Sequence, residues 1–231
     1  MTADVDAPVT DAASAESVPP RRASLRIVLI AIIAIAALAI AAAGGFVWGR
    51  DSKSTAYVPA VGSVDLGFAQ DMTVHHSQAV TMASYARDYT DLPALKLLAY
   101  DIEEQQAFQI GQMQGWIDTW AAPTTDGSPM AWMAGHDHLV GGLMPGMATP
   151  AEVAKLQTLH GKALDILFLQ LMIRHHQGGI PMAQYAVANA KLAYVRDLAQ
   201  AIVNAQSSEI ISMEQMLRQL GGTPLPAPAT H

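Results

Sequence analysis

The chain has 231 residues, which is enough for one domain of ordinary size with further segments at its ends. Its formal net charge of −7 argues against nucleic-acid binding, because a nucleic-acid-binding face needs basic residues that replace counterions. It contains no cysteine, which excludes disulfides, zinc–thiolate sites and thiol catalysis. Any soft metal ligand must therefore be a methionine sulfur or a histidine nitrogen.

The N-terminal part predicts a disordered cytoplasmic tail at 1–23 and a transmembrane anchor at 24–49. The tail is rich in Asp, Ala, Ser and Pro, whereas residues 25–47 carry one charge, at their edge, and are long enough to cross the lipid bilayer. Three arginines precede this run and two basic residues follow it, which favours a cytoplasmic N-terminus and an extracytoplasmic main domain. The alternative is a signal peptide cleaved near the small residues 41–43, and it too exports the rest of the chain.

The middle and C-terminal parts contain an internal repeat. The segment FAQDMTVHHSQAVTMASYA begins at Phe68, and FLQLMIRHHQGGIPMAQYA begins at Phe168, 100 positions later; the offset holds without a gap for about fifty residues. A constant offset of this length is typical of a duplicated supersecondary unit. The matching pairs include Asp65/Asp165, Met72/Met172, His75/His175, His76/His176, Met82/Met182, Gln106/Gln206 and Met113/Met213.

Each repeat predicts a hairpin of two helices, because its apolar residues and histidines recur at steps of three and four residues. The predicted fold class is all-α: residues 60–220 form a ferritin-like four-helix bundle made of two repeated helical hairpins. Pro181, with two glycines before it, predicts a kink in the third long helix. Residues 221–231 are Pro-rich and are predicted to be a disordered tail.

Between the repeats lies a linker, residues 122–148, that is rich in Gly, Pro, Met and His. The sequence of 149–152, Thr-Pro-Ala-Glu, then predicts a capping box that starts a short helix. This helix is predicted to end near Gly161, with His160 in its last turn. Asp65 and Asp165 are expected to cap the repeat helices, or alternatively to orient a histidine by a hydrogen bond.

Both repeats carry the motif M-x-x-H-H, followed by a methionine six residues after the second histidine. On a helix these residues share one stripe, and thioether and imidazole ligands together favour copper, above all Cu(I). A di-iron carboxylate site would need Glu-x-x-His motifs, and no histidine of the repeats has a glutamate three residues before it. The predicted metal ligands of the bundle are Met72, His75, His76, Met82, Met113, Met172, His175, His176, Met182 and Met213.

Two structural alternatives accompany this prediction. Methionine at helical spacing commonly fills irregular core space, and this interpretation applies above all to Met113 and Met213. Adjacent helical residues point about 100° apart, so one histidine of each pair is expected to bind metal while the other orients it or packs.

The linker predicts a second metal site, because its methionines surround the sequence His136-Asp137-His138. A loop can adapt its geometry to Cu(II) or Cu(I), and the alternative is a merely solvated loop. The predicted ligands of this site are His136, His138, Met144 and Met147, with Met130 and Met133 beside them.

The sequence of the second repeat resembles a known protein family. The sequence F-L-x-x-M-I-x-H-H-Q-G-x-I-x-M-A at 168–183, the preceding Met-Pro-Gly-Met at 144–147, and Asp165 are similar to the family of domain of unknown function 305, over roughly residues 60–220. The first repeat departs from this pattern, with H-H-S-Q-A-V in place of H-H-Q-G-x-I, but keeps its histidines. The resemblance implies a ferritin-like bundle of bacterial exported proteins, some of them associated with copper binding and tolerance. It also implies that the four histidines and their flanking methionines are the functional positions.

The first functional hypothesis is a membrane-anchored, extracytoplasmic protein that binds or sequesters copper, with copper as its ligand and no catalytic role. The second is a helical interaction module of the bacterial envelope whose histidines are structural. A redox enzyme that uses bound copper or iron is a weaker third hypothesis, and the lack of Glu-x-x-His motifs argues against the iron version. The predicted partners are the lipid bilayer at 25–47 and a second copy of the chain; nucleic acid is excluded.

Overall fold

Two helical hairpins make up most of the part of the chain that the computed structural model describes, which is residue 38 and residues 57–125, 127–135 and 139–228. The first hairpin consists of α1 (Val64–Tyr89) and α2 (Pro93–Thr119), and the second consists of α4 (Gly161–Asn189) and α5 (Ala193–Gln219). The short helix α3 (Pro150–Leu156) lies between them. The described ranges contain helices and no strand, which confirms the all-α prediction.

The chain divides into two compact units, 1–57 and 58–231, and all five helices belong to the second. The predicted tail at 1–23 and the predicted anchor at 24–49 lie outside the described residues, apart from Leu38. Within the ranges that are described, no helix is long and apolar enough to cross a membrane.

The helix ends follow the repeat, since α5 begins and ends 100 positions after α2. The predicted capping box is confirmed: the Thr149 hydroxyl accepts from the Glu152 N–H, and the Glu152 carboxylate accepts from the Thr149 N–H. The prediction for His160 is wrong. Tight turns after Lys155 end α3 at Leu156, and His160 is instead the residue that precedes α4. Helix α4 then continues without a break through Pro181.

The core consists of two apolar clusters at opposite ends of the hairpins. The first joins the N-terminal half of α1 and the C-terminal half of α2 to the C-terminal half of α4 and the N-terminal half of α5. The second joins the other four halves. Helix α1 packs against α2, α4 packs against α5, and the contact between α1 and α4 holds the two hairpins together. Each cluster thus combines one half of every long helix, in the pseudo-twofold arrangement that the repeat predicts. The middle of each long helix lies between the two clusters.

The two repeated aspartates tie one hairpin to the other. The Asp65 carboxylate accepts from the backbone N–H groups of Lys191 and Leu192, the two residues just before α5 in the other repeat. Asp165 accepts from the Thr90 hydroxyl, which in turn accepts from the Leu92 N–H at the start of α2. Neither aspartate is an N-cap: Ser63 caps α1, and the other three long helices have no side-chain cap, so the capping prediction is wrong. Neither contact involves a histidine.

Part of the described linker packs on the bundle, and the rest of it is exposed. Asp71 on α1 accepts from the Met130 N–H at 2.6 Å and from the Trp132 indole N–H at 2.7 Å. Met130, Met133 and Met144 are buried in the first apolar cluster, and Met147 is half-buried against it. Residues 136–138, which hold the two histidines of the predicted linker site, lie outside the described residues.

The segment after α5 is held to the bundle by the same kind of hydrogen bond as the segment after α2. The Gln170 amide donates to the Thr223 carbonyl at 2.7 Å, as the Gln70 amide donates to the Pro123 carbonyl at 2.7 Å. Leu225 packs against the second apolar cluster. Residues 221–228, which the composition predicts to be disordered, therefore lie against the bundle.

Candidate metal centre

The four histidines of the repeat lie in the middle of α1 and α4, and all four are fully buried. The rings of His75 and His175 face each other between the two hairpins, with centroids 3.8 Å apart. His76 turns instead toward α2, and His176 turns toward α5. The pairs thus divide as helix geometry predicts, with one histidine at the interface between the repeats and the other inside its own hairpin.

Hydrogen bonds fix the tautomer of the two facing histidines. The Nε2 atom of His75 lies 3.1 Å from the Pro145 carbonyl oxygen, and that of His175 lies 3.1 Å from the His75 carbonyl oxygen. A carbonyl oxygen can only accept, so each Nε2 carries the proton and donates it. The neutral ring then has its lone pair on Nδ1.

The other two histidines are held in the same way by side chains. His76 Nε2 donates to the Gln109 amide oxygen at 2.8 Å, and His176 Nε2 donates to the Glu209 carboxylate at 2.6 Å. Residues 109 and 209 occupy the same place in the two repeats but differ in charge. The second repeat therefore pairs this histidine with a carboxylate, whereas the first repeat pairs it with a neutral amide.

All four Nδ1 atoms are buried and have no hydrogen-bond partner. An imidazole whose one nitrogen donates to a carbonyl or carboxylate, and whose other nitrogen is unprotonated, is in the form that binds a metal ion. Buried polar atoms in native proteins usually have partners, so four equivalent exceptions call for a ligand or solvent. The histidine layer therefore fits the metal that the sequence predicts.

The surroundings keep three of these rings unprotonated. Burial, together with the neighbouring imidazoles, lowers the pKa of His75 to about 4 and that of His76 to about 3. Burial and the other three histidines likewise hold the pKa of His175 well below its usual value. At neutral pH a metal ion would therefore meet little competition from protons for these nitrogens.

The six methionines of the predicted bundle site are fully buried and form two groups on either side of the histidines. Each group takes methionines from both repeats, which is a direct result of the pseudo-twofold symmetry. The group in the first apolar cluster is Met72, Met113 and Met182; the group in the second is Met82, Met172 and Met213. Thioether sulfurs thus belong to the apolar layers, and imidazole nitrogens to the polar layer between them.

The linker closes this layer beside His75. The run 144–147 crosses α4, and a Cβ atom added to Gly178 would overlap the carbonyl oxygen of Pro145. Gly146 has a φ of +79°, a left-handed conformation that favours glycine, and it packs on the carbonyl oxygens of Arg174 and His175. The segment is held in place by Gln78, whose amide both donates to and accepts from the backbone of Ala148.

Histidine, aspartate and glutamate alone do not complete a site here. In the described ranges no three of these side chains come together closely enough to hold a metal ion. A metal ion held here by three or more side chains would therefore also take a methionine sulfur or a side-chain amide. The sequence does not predict that five further residues lie around the histidines, although four of the five form two pairs at the repeat offset. They are Pro145, Gln106, Gln109, Gln206 and Glu209.

Known proteins are similar to this chain in sequence and in fold. The profile of the domain of unknown function (DUF305) matches residues 65–217. No curated protein matches the chain. The crystal structure of a DUF305 protein from Streptomyces coelicolor, inferred to be secreted, is 45% identical, with a TM-score of 0.67 over 72% of this chain and 99% of that one. That of a DUF305 fragment from Deinococcus radiodurans is 33% identical, with a TM-score of 0.57 over 68% and 96%.

A third similar protein, CopM, has been crystallised with metal ions. Its Cu(II)-bound form is 30% identical to this chain, with a TM-score of 0.56 over 67% of this chain and 96% of that one. Its Cu(I)-bound form is 28% identical, with a TM-score of 0.54 over 68% and 98%. Silver-bound forms are also known, so metal binding occurs in a relative with the same fold. Neither the family description nor these structures name a catalytic activity. From the match over residues 65–217, the chain belongs to the DUF305 family.

Proposed function

We propose that this chain is an extracytoplasmic copper-binding protein that sequesters copper in the buried histidine and methionine layers of its bundle. The observation that carries the proposal is the set of four buried Nδ1 atoms without partners, on rings whose Nε2 atoms are committed to acceptors. The metal-bound forms of CopM support copper as the ligand. The predicted anchor and the inferred secretion of the Streptomyces coelicolor protein support a location outside the cytoplasm.

The residues explain why copper would be held in preference to hard cations. Imidazole nitrogen and thioether sulfur are soft or borderline donors, whereas Mg²⁺ and Ca²⁺ prefer carboxylate and carbonyl oxygen. Burial excludes water from the layer, and the Nε2 hydrogen bonds hold each ring with its Nδ1 available. Nothing in this arrangement activates a nucleophile, so the residues bind and shield the metal without a catalytic step.

A competition titration with Cu(I) tests the proposal, using the full-length chain and the double variant His75→Ala/His175→Ala. Removal of the two facing rings is expected to weaken binding by about tenfold or more, since it deletes two nitrogen donors. The matched control is His160→Ala, because His160 is exposed and lies at the start of α4, away from the histidine layer. Equal affinities in all three proteins would place copper elsewhere, and an absence of binding in the unmodified chain would refute the proposal.

The alternative, a helical interaction module, has one observation in its favour. Leu97, Tyr100 and Phe108 on α2 form an exposed apolar stripe at helical spacing, and Phe108 is 69% exposed. A partner that covers this stripe would explain it without any metal. The two functions are separated by the same titration, because the interaction module predicts no copper binding by the unmodified chain.

A further inference from the structure

Two buried glutamines of the histidine layer have no assigned role. Gln106 on α2 and Gln206 on α5 occupy the same position in the two repeats, and each is only 2% exposed. Both amide atoms of both side chains are buried and lack a hydrogen-bond partner. Burying an amide without partners costs stability, so an apolar residue would serve a purely structural role better at both positions.

Two other buried glutamines of the bundle have partners. Gln70 donates to the Pro123 carbonyl, and Gln109 accepts from His76. Gln177, next to His176, is half-buried and has one buried amide oxygen without a partner. Gln106 and Gln206 differ from these three because both of their amide atoms are buried and unpartnered, as the four Nδ1 atoms are.

Gln206 lies directly beside the facing histidines. A Cβ atom added to Gly179 would lie 2.9 Å from the Gln206 Oε1 atom and 3.2 Å from the His75 Cε1 atom, the carbon between the two ring nitrogens. The Gln206 amide oxygen and the His75 imidazole thus both pack on Gly179, which brings them close to each other. Gln106 reaches the equivalent level on α2, one turn before the glutamine that holds His76.

The chemistry of these donors separates two oxidation states. Imidazole nitrogen and amide oxygen suit Cu(II), which prefers tetragonal nitrogen and oxygen sites, whereas thioether sulfur suits Cu(I). The polar layer contains nitrogen and oxygen donors, and the methionine groups lie in the apolar layers on either side. We propose that Gln106 and Gln206 are metal ligands that complete, with histidine Nδ1 atoms, the coordination of Cu(II), whereas Cu(I) is held by histidine nitrogen and methionine sulfur without the glutamines. This inference rests on the proposed copper-binding function and assigns its ligands by oxidation state.

The test uses the full-length chain and the double variant Gln106→Leu/Gln206→Leu, titrated separately with Cu(II) and with Cu(I) against competing chelators. The affinity for Cu(II) is expected to fall by about tenfold or more, and the affinity for Cu(I) is expected to stay within about twofold. The electron paramagnetic resonance spectrum of bound Cu(II) should change, because an oxygen ligand is lost. The metal-free variant should melt at the same temperature as the unmodified chain or higher, since four unsatisfied atoms are removed. The matched control is Gln105→Leu, because Gln105 is the exposed neighbour on the same helix.

The possible results separate this inference from the proposed function. Unchanged Cu(II) affinity and an unchanged spectrum, in a chain that binds copper, would overturn the role of the glutamines and leave the proposed function standing. Failure of the unmodified chain to bind either ion would overturn both. If the leucine variant does not fold, Gln206→Asn keeps the polar group but shortens it by one methylene. The same selective loss of Cu(II) affinity is expected from it, and retention of that affinity would overturn the inference.

Discussion

Replacing Gly178 with alanine is expected to lower the free energy of unfolding by about 1–3 kcal/mol, the usual cost of forcing an extra methyl group into a packed interior. The reason is the close approach of the linker to α4, where a Cβ atom on residue 178 would overlap the backbone of Pro145 and Gly146. Backbone cannot move aside as the end of a flexible side chain can. The linker must lift, and His75 then loses the carbonyl acceptor that fixes its tautomer. Copper affinity should therefore fall together with stability.

The matched control for this variant is Gly111→Ala. Gly111 also lies inside a helix, but a Cβ atom there would have no neighbour within 4 Å. Alanine in an open helical position should stabilise the protein by roughly 0.5–1 kcal/mol, because it restricts the unfolded chain and favours the helix. Urea unfolding of both variants measures the two effects. If both substitutions shift the midpoint in the same direction and by the same amount, the linker does not press on α4.

Lowering the pH from about 6.5 toward 5 is expected to destabilise the metal-free protein. The pKa of His75 is about 4 and that of His76 about 3 in the folded chain, against 6.5 for an ordinary histidine, and the pKa of His175 is also well below 6.5. Below pH 6.5 the unfolded chain therefore binds protons that the folded chain does not bind, and protonation favours unfolding. Each such histidine contributes a slope of ~1.4 kcal/mol per pH unit once its unfolded form is protonated and until the folded pKa is reached.

Denaturant unfolding at a series of pH values measures this slope. Stability should be nearly constant above pH 7 and should fall between pH 6.5 and 5, a window in which carboxylates of ordinary pKa remain ionised. The variant His75→Gln/His175→Gln should show a shallower fall, because two of the titrating groups are absent. A flat profile in the unmodified chain would mean that the histidines are accessible to protons in the folded state.

Much of the architecture could be predicted because the chain contains two repeats that can be compared with each other. A constant offset indicates two equivalent hairpins, and helical spacing places Met72, His75 and Met82 on one stripe without any knowledge of their neighbours. The burial of the four histidines and six methionines confirms that the stripe faces the interior. The exchange of methionines between the two apolar clusters also follows once two equivalent hairpins are packed antiparallel.

The partners of these residues could not be predicted in the same way. Periodicity gives the face of a helix but not the residue that it meets, so neither the contact between the His75 and His175 rings nor the contact with Pro145 is visible in the sequence. Gln106 and Gln206 were recognised only as matching positions, since a polar residue on an amphipathic helix is normally expected at the surface. Their burial becomes evident only when the two hairpins are assembled.

Composition does not predict the contacts that the linker and the C-terminal segment make with the bundle. Gly, Pro and Met without a period are typical of a loop, yet Asp71 fixes Met130 and Trp132 by two hydrogen bonds to one carboxylate oxygen. Gln170 similarly holds the chain at Thr223. Both anchors lie on the long helices, far from the segments in sequence, and single-sequence composition contains no information about such distant contacts.

X-ray absorption spectroscopy of the Cu(I)-loaded full-length chain tests the central claim most directly, because it identifies the atoms bound to copper. We expect both nitrogen and sulfur neighbours, at about 2.0 Å and about 2.3 Å, the distances usual for imidazole and sulfur ligands of this class of metal. The nitrogen contribution should decrease in His75→Ala/His175→Ala, and the sulfur contribution should decrease when Met72, Met113 and Met182 are replaced by leucine. A spectrum with oxygen and nitrogen neighbours alone, unchanged in both variants, would contradict the account and place any copper outside the bundle.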